Sequence, residues 1–226
     1  MRSLIKGFTL AEVLITLAII GTIASVTLPS LQLNVQKQQV GPALAKGVNT
    51  LENAARTLLQ QESARNLKQA CGGDNVDFPT CLENKGVIRN VSGFRKDYSQ
   101  LKSNTTNKSL QCITGKDNIS YCVDVNSYSV ITTGGATTKR YYGSYYSVYV
   151  DTNGEKAPNV IGKDVFLVYV DLYGEVIPYG SNVAQKYKTT GARRDWQKNC
   201  NNTTITNALT CAGAIADNGW QVKYKY

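Results

Sequence analysis

Phe8 to Leu28 is an unbroken, almost wholly apolar run, and it begins directly after a short basic stretch that ends in Gly7. About 20 residues of helix extend roughly 30 Å, enough to cross the hydrocarbon core of a bilayer. The run carries a single carboxylate, Glu12, at its fifth residue. An acid inside hydrocarbon is costly unless something pairs with it, so an intramembrane Glu is a functional-site hypothesis by default. Its natural partner is a positive charge at the same depth, and cleavage after Gly7 creates one, the α-amino group of Phe8. A secretory signal peptide would have a shorter apolar core, a small-residue cleavage site after it and no acid within. A plain single-span anchor accounts for the length, and for Arg2 and Lys6 held on the cytoplasmic side. It gives no reason for Gly7 or Glu12.

The stretch Lys6-Gly7-Phe8-Thr9-Leu10-Ala11-Glu12, followed by Val13-Leu14-Ile15-Thr16-Leu17-Ala18-Ile19-Ile20-Gly21, resembles the N-terminus of type IV pilins and type II secretion pseudopilins. The signature combines a glycine cut site, a following Phe, an acid and a long apolar run. The likeness is close from Lys6 to Pro29 and loose beyond, and Ala11 stands where a larger aliphatic residue is commoner. It implies that a prepilin peptidase cuts after Gly7 and methylates the amine of Phe8, and that Glu12 serves assembly. The implied partners are other copies of the chain and related pilin subunits, the peptidase, an inner-membrane assembly platform, and membrane lipid before assembly. The implied location is the bacterial inner membrane, with a single pass and the C-terminal head outside the cytoplasm. A periplasmic pseudopilus or an extracellular pilus would follow.

Cysteine and histidine usage narrows the chemistry. The six cysteines fall as Cys71 and Cys81, Cys112 and Cys122, Cys200 and Cys211, and the chain has no histidine. None of these pairs has the tight C-x₂-C spacing of zinc modules, so disulfides formed in an oxidising compartment are favoured over metal ligation. Six cysteines allow fifteen pairings, of which the nearest-neighbour set is the simplest. Absence of histidine excludes Ser-His-Asp and Cys-His nucleophile systems and the usual zinc hydrolase sites. No Walker loop or dinucleotide fingerprint occurs, and nothing in the sequence calls for an enzyme. The formal charge of +9 would fall to about +7 on loss of Arg2 and Lys6 with the leader, which suits a soluble surface or an acidic partner alike.

Beyond the apolar run, Val40, Leu44, Val48, Leu51, Ala55 and Leu58 recur at steps of three or four, placing them on one helix face. The pattern predicts one long helix from Phe8 to about Lys68, with kinks or local unwinding at Pro29 and Pro42. After Cys71 the period changes. Tyr128–Ile131, Tyr145–Val150 and Val165–Val170 are rich in β-branched and aromatic residues and predict strands, the last of them an inner one. Gly219–Tyr224 alternates as a final edge strand. Asp151-Thr152-Asn153-Gly154 and Leu172-Tyr173-Gly174-Glu175 are turn signals, and Ser103–Leu110 and Asn199–Thr206 read as surface loops. Asn104-Thr105-Thr106 is a glycosylation triplet that an Asn- and Thr-rich chain produces by chance. The expected fold is α+β, a long N-terminal helix, half membrane and half amphipathic, packed on a small antiparallel sheet. The expected organisation is a leader over 1–7, a transmembrane and assembly helix over 8–29, an amphipathic helix over 30–68 and a globular head over 69–226.

Two further groups invite a ligand. Asp151, Asn153, Glu155 and Asp164 offer oxygens around a glycine-permitted turn, which suits a hard cation. The likeness to pseudopilins, some of which use calcium, adds to that reading. A hairpin turn favours the same residues for backbone reasons, and the spacing is not that of an EF-hand. No cofactor is therefore expected, with calcium as the alternative. Lys186, Lys188, Arg193, Arg194 and Lys198 lie among Tyr187 and Trp196, a mixture suited to phosphate contact and base stacking. Solvated loop charge explains them too. The leading expectation is a structural pilin or pseudopilin subunit, and the alternative a minor pilin that binds a ligand such as DNA in uptake or adhesion.

Overall fold

A computed structural model of the chain describes residues 7–72, 78–89, 95–96, 102–103, 106–107, 110–124, 145–154, 156, 159–182, 200 and 208–224. The first element, α1, is one continuous helix of 52 residues, Leu10–Gln61. Of the kinks or local unwinding expected at Pro29 and Pro42, unwinding does not occur: the helix runs through both. Each proline removes one backbone donor, and the turns on either side carry the helix through. The helix also stops short of Lys68. Ser63 takes a left-handed φ of +48°, Ser63 N–H donates to Gln60 O at 3.2 Å and Ala64 N–H to Leu59 O at 3.0 Å. This is a Schellman closure with serine in the usual glycine position. Asn66 then caps a short helix α2, Leu67–Ala70, by accepting from Gln69 N–H at 2.8 Å. Helix α3, Phe78–Asn84, follows.

The chain divides into two compact units between Gln39 and Val40. In the first, α1 exposes Leu10, Leu14, Ile15, Leu17, Ile20, Val26 and Leu28 around its whole circumference, and it is long and apolar enough to cross a membrane. Its hydroxyls turn inward. Thr16 donates to Val13 O, Thr22 to Ile19 O, Ser25 to Thr22 O and Thr27 to Ile23 O, all within 2.8–3.0 Å. Such back-bonding removes their polar cost in an apolar medium.

The second unit is an α+β head. Eight strands are described: β1 Arg95–Lys96, β2 Lys102–Ser103, β3 Thr106–Asn107, β4 Leu110–Thr114, β5 Ser120–Asp124, β6 Tyr145–Asp151, β7 Val165–Asp171 and β8 Val176–Pro178. Six form an antiparallel sheet in the order β1-β4-β5-β6-β7-β8, and β2 pairs with β3 separately. Ser103–Leu110, read as loop, thus holds a short hairpin and the start of β4. Every residue of β7 is buried, as its continuous apolar run demands of an inner strand. The expected strand Tyr128–Ile131, Asn104 and Thr105 of the glycosylation triplet and, apart from Cys200, the loop Asn199–Thr206 fall outside the described residues. Disulfides join Cys71 to Cys81, Cys112 to Cys122 and Cys200 to Cys211, and Cys112 lies directly opposite Cys122 in the β4–β5 pair.

Val40, Leu44, Val48, Leu51, Ala55 and Leu58 of α1 are all buried, in one core with Tyr121, Val148, Val150, Phe166 and Val168 of the sheet. Gly47 sets how closely helix and sheet approach. A Cβ there would lie 2.8 Å from Val150 Cγ1, and the Tyr121 hydroxyl reaches Gly47 O at 3.4 Å. On the opposite face of β7, Leu167, Tyr169 and Ile177 form a smaller cluster with Tyr179 and Leu209. Helix α4, Cys211–Asp217, packs against the turn after β8, where Gly213 N–H donates to Tyr179 O at 2.8 Å.

The expected C-terminal edge strand is instead a strap without regular structure. Trp220 has a φ of +61°, and its N–H donates to Ile215 O at 2.9 Å. Four residues on, the buried Tyr224 hydroxyl donates to Gly162 O at 2.7 Å. Between these anchors the strap crosses α1 at Gly41, where a Cβ would fall 1.9 Å from Trp220 O. Left-handed backbone at Trp220 breaks the two-residue alternation that a strand requires. Gly41→Ala is expected to destabilise the head by about 1–3 kcal/mol through overpacking, read as a lower Tm. Gly21→Ala, with nothing within 4 Å of the added Cβ, should leave the Tm of the head unchanged.

Candidate processing and assembly site

The geometry around Gly7, Phe8 and Glu12 follows from how α1 begins. Residues 7–9 precede the helix without regular structure, so the Gly7–Phe8 peptide bond lies outside the helical hydrogen-bond ladder. Phe8 is exposed. Thr9 is the N-cap and Glu12 the third helical residue. Thr9 Oγ1 accepts from Glu12 N–H at 3.2 Å. The Glu12 carboxylate in return accepts from Thr9 N–H and from Thr9 Oγ1, both at 2.8 Å. This is a reciprocal capping box, which satisfies helix-start donors that hydrocarbon would leave orphaned.

Glu12 therefore holds its carboxylate at the helix N-terminus, on the turn that carries Phe8. An amine created at Phe8 would be borne by the same end of the helix. The spacing Thr-x-x-Glu ahead of an apolar run is the sequence sign of Thr9 as the partner of Glu12. The glycine at position 7 is not demanded by the fold. A Cβ there meets nothing within 4 Å, so a need for glycine would come from a molecule that acts on this bond.

The loop from β6 to β7 brings Asp151, Asn153 and Asp164 together, while Glu155 lies outside the described residues. Asp151 is fully buried and Asp164 is 3% exposed. Asn153 Nδ2 donates to Asp164 Oδ2 at 3.1 Å, and Asn153 N–H to Asp151 Oδ1 at 3.2 Å. Burial pushes the Asp164 carboxyl upward in pKa, and the N–H groups of Val160, Asn159 and Asn153 oppose it. Among the described residues, no three His, Cys, Asp or Glu side chains gather as a metal-binding group. Lys186, Lys188, Arg193, Arg194 and Lys198 lie outside the described residues.

No curated protein and no solved structure matches the chain. Residues 2–28 match the prokaryotic N-terminal methylation motif, a span that contains the capping box, the Gly7–Phe8 bond and the apolar part of α1. By that motif the chain carries the signature of a type IV pilin or pseudopilin precursor.

Proposed function

We propose that the chain is a structural subunit of a type IV pilus or a type II secretion pseudopilus. It is cut between Gly7 and Phe8 by a prepilin peptidase, N-methylated at Phe8 and polymerised through α1. Before assembly the apolar part of α1 sits in the inner membrane with the head outside the cytoplasm, and an inner-membrane platform draws it into the filament. The observation that carries this reading is a carboxylate fixed by a capping box at the start of an all-round apolar helix. In the filament, Glu12 pairs with the Phe8 amine of a neighbouring subunit, and two charges that an apolar bundle would penalise neutralise each other.

Gly21 supports close helix packing in such a bundle. Glycine inside a helix costs about 0.5–1 kcal/mol relative to alanine, and nothing within 4 Å in this subunit requires it. Small residues let neighbouring helices approach in membranes.

Gly7→Val tests processing apart from folding. Because the side chain meets open space, the head should fold and the chain should insert as before. Cleavage should fail, and the uncut chain should accumulate in the inner membrane, visible as a mass retaining the leader. Efficient cleavage of the Gly7→Val chain would count against a prepilin peptidase as the processing enzyme.

A further inference from the structure

Gly41 and Pro42 form the weakest step of α1. Glycine inside a helix loses the most backbone entropy on ordering. Proline cannot donate to the carbonyl of Gln38, four residues back, and its ring crowds that carbonyl. Pro29 has Leu28 before it, whereas Pro42 has a second helix breaker beside it. Proline and glycine are the ordinary causes of a broken helix, yet α1 remains helical through both residues. The step also lies at the margin of the head unit, which begins at Val40, so no earlier turn of that unit supports it.

The C-terminal strap lies against this step. A Cβ at Gly41 would have the strap as its nearest neighbour, with Trp220 O at 1.9 Å, Trp220 C at 2.8 Å and Gln221 N at 3.5 Å. Only glycine admits so close an approach, so Gly41 weakens the helix and receives the strap at once. Three anchors hold the strap there. Trp220 N–H donates to Ile215 O at 2.9 Å. The side chains of Trp220 and Val222 pack half-buried against the head core. The buried Tyr224 hydroxyl donates to Gly162 O at 2.7 Å. Gly162 is itself hemmed in, since a Cβ there would lie 3.0 Å from Ala208 Cβ and 3.1 Å from Cys211 Sγ. The φ of +61° at Trp220 is an outlier for so bulky a residue, and such backbone persists only where its surroundings hold it.

We infer that the strap is a splint on α1, one that keeps the helix continuous across Gly41 and Pro42 while docked and lets the step open when released. The step is then a two-state element, and docking of a late segment of the chain decides whether an early helix stays whole at the edge of the head. The device lies within the head unit, so it stands or falls separately from cleavage at Gly7 and assembly through Glu12.

Hydrogen exchange of the full chain in detergent micelles, read by mass spectrometry on peptides from 38–48 and from β7, tests the splint. Tyr224→Phe removes the far anchor and keeps the ring. Exchange across 38–48 should quicken about 5-fold, the worth of one net hydrogen bond, with β7 unchanged. A chain that stops at Gly219 should quicken it further. Pro42→Ala restores the missing donor at an exposed position, and in either background it should return exchange across 38–48 toward the wild-type rate. Where the shortened chain does not fold, Tyr224→Phe carries the comparison. Wild-type exchange across 38–48 in Tyr224→Phe overturns the inference, as does a quickening shared equally by β7 or one that Pro42→Ala fails to reverse.

Discussion

Glu12→Leu is expected to leave membrane insertion intact and to remove the chain from assembled filaments. In the membrane the substitution exchanges an acid for a residue that hydrocarbon favours, and an acid within a span costs up to about 3 kcal/mol on insertion scales. Insertion should therefore improve. In the filament it leaves the neighbour's Phe8 amine buried without its partner, and breaking a buried ion pair costs about 3–5 kcal/mol. At that cost each subunit contact weakens roughly 100-fold or more, which should reduce filament yield below detection. Glu12→Leu also removes the capping box with Thr9, so a second variant separates the two effects. Glu12→Gln keeps a residue type that caps with Thr9 while losing the charge. Filament loss in both variants, measured in sheared surface or periplasmic fractions with membrane levels unchanged, assigns the defect to charge pairing. Wild-type yield from both would mean that Glu12 is an ordinary cap in a simple anchor.

Reduction of the disulfides is expected to unfold the head. Each bridge closes a loop of 10 or 11 residues, and chain-entropy arithmetic assigns about 2.7 kcal/mol to a loop of that length. Together the three bridges contribute about 8 kcal/mol, comparable to the whole stability of an ordinary domain at about 5–15 kcal/mol. Far-UV circular dichroism and limited proteolysis, with and without reductant, should show a cooperative melt lost on reduction and cleavage sites opening within β4 and β5. A reduced chain that melts at the oxidised Tm would contradict this. Dependence on the bridges would call for folding in an oxidising compartment.

How much of this was legible in the sequence differs by element. The N-terminal helix was, because hydrocarbon tolerates few alternatives and an acid in a span stands out. The buried face from Val40 to Leu58 was, because steps of three and four residues leave one stripe. Strands β6 and β7 and the turns after them followed from β-branched runs closed by Asn-Gly and Tyr-Gly.

The end of α1 was not read correctly, because Ser63 takes the left-handed position that usually advertises itself as glycine. Asn66, three residues ahead of Gln69, was the available sign that a new helix begins. The C-terminal strap was missed for a different reason. Gly219–Tyr224 alternates locally, but Gly219 and Trp220 both take left-handed φ as they close the end of α4, and Trp220 O then rests against Gly41, which lies 179 positions earlier in the chain. No local pattern reports such a contact.

Cleavage at Gly7–Phe8 and assembly through the new N-terminus form the central claim, and intact-mass measurement with N-terminal sequencing of the chain from purified filaments tests it directly. The account predicts a chain that lacks the first seven residues and begins at Phe8 with one added methyl group on its α-amine. A chain in assembled fibres that still begins at Met1 would contradict it.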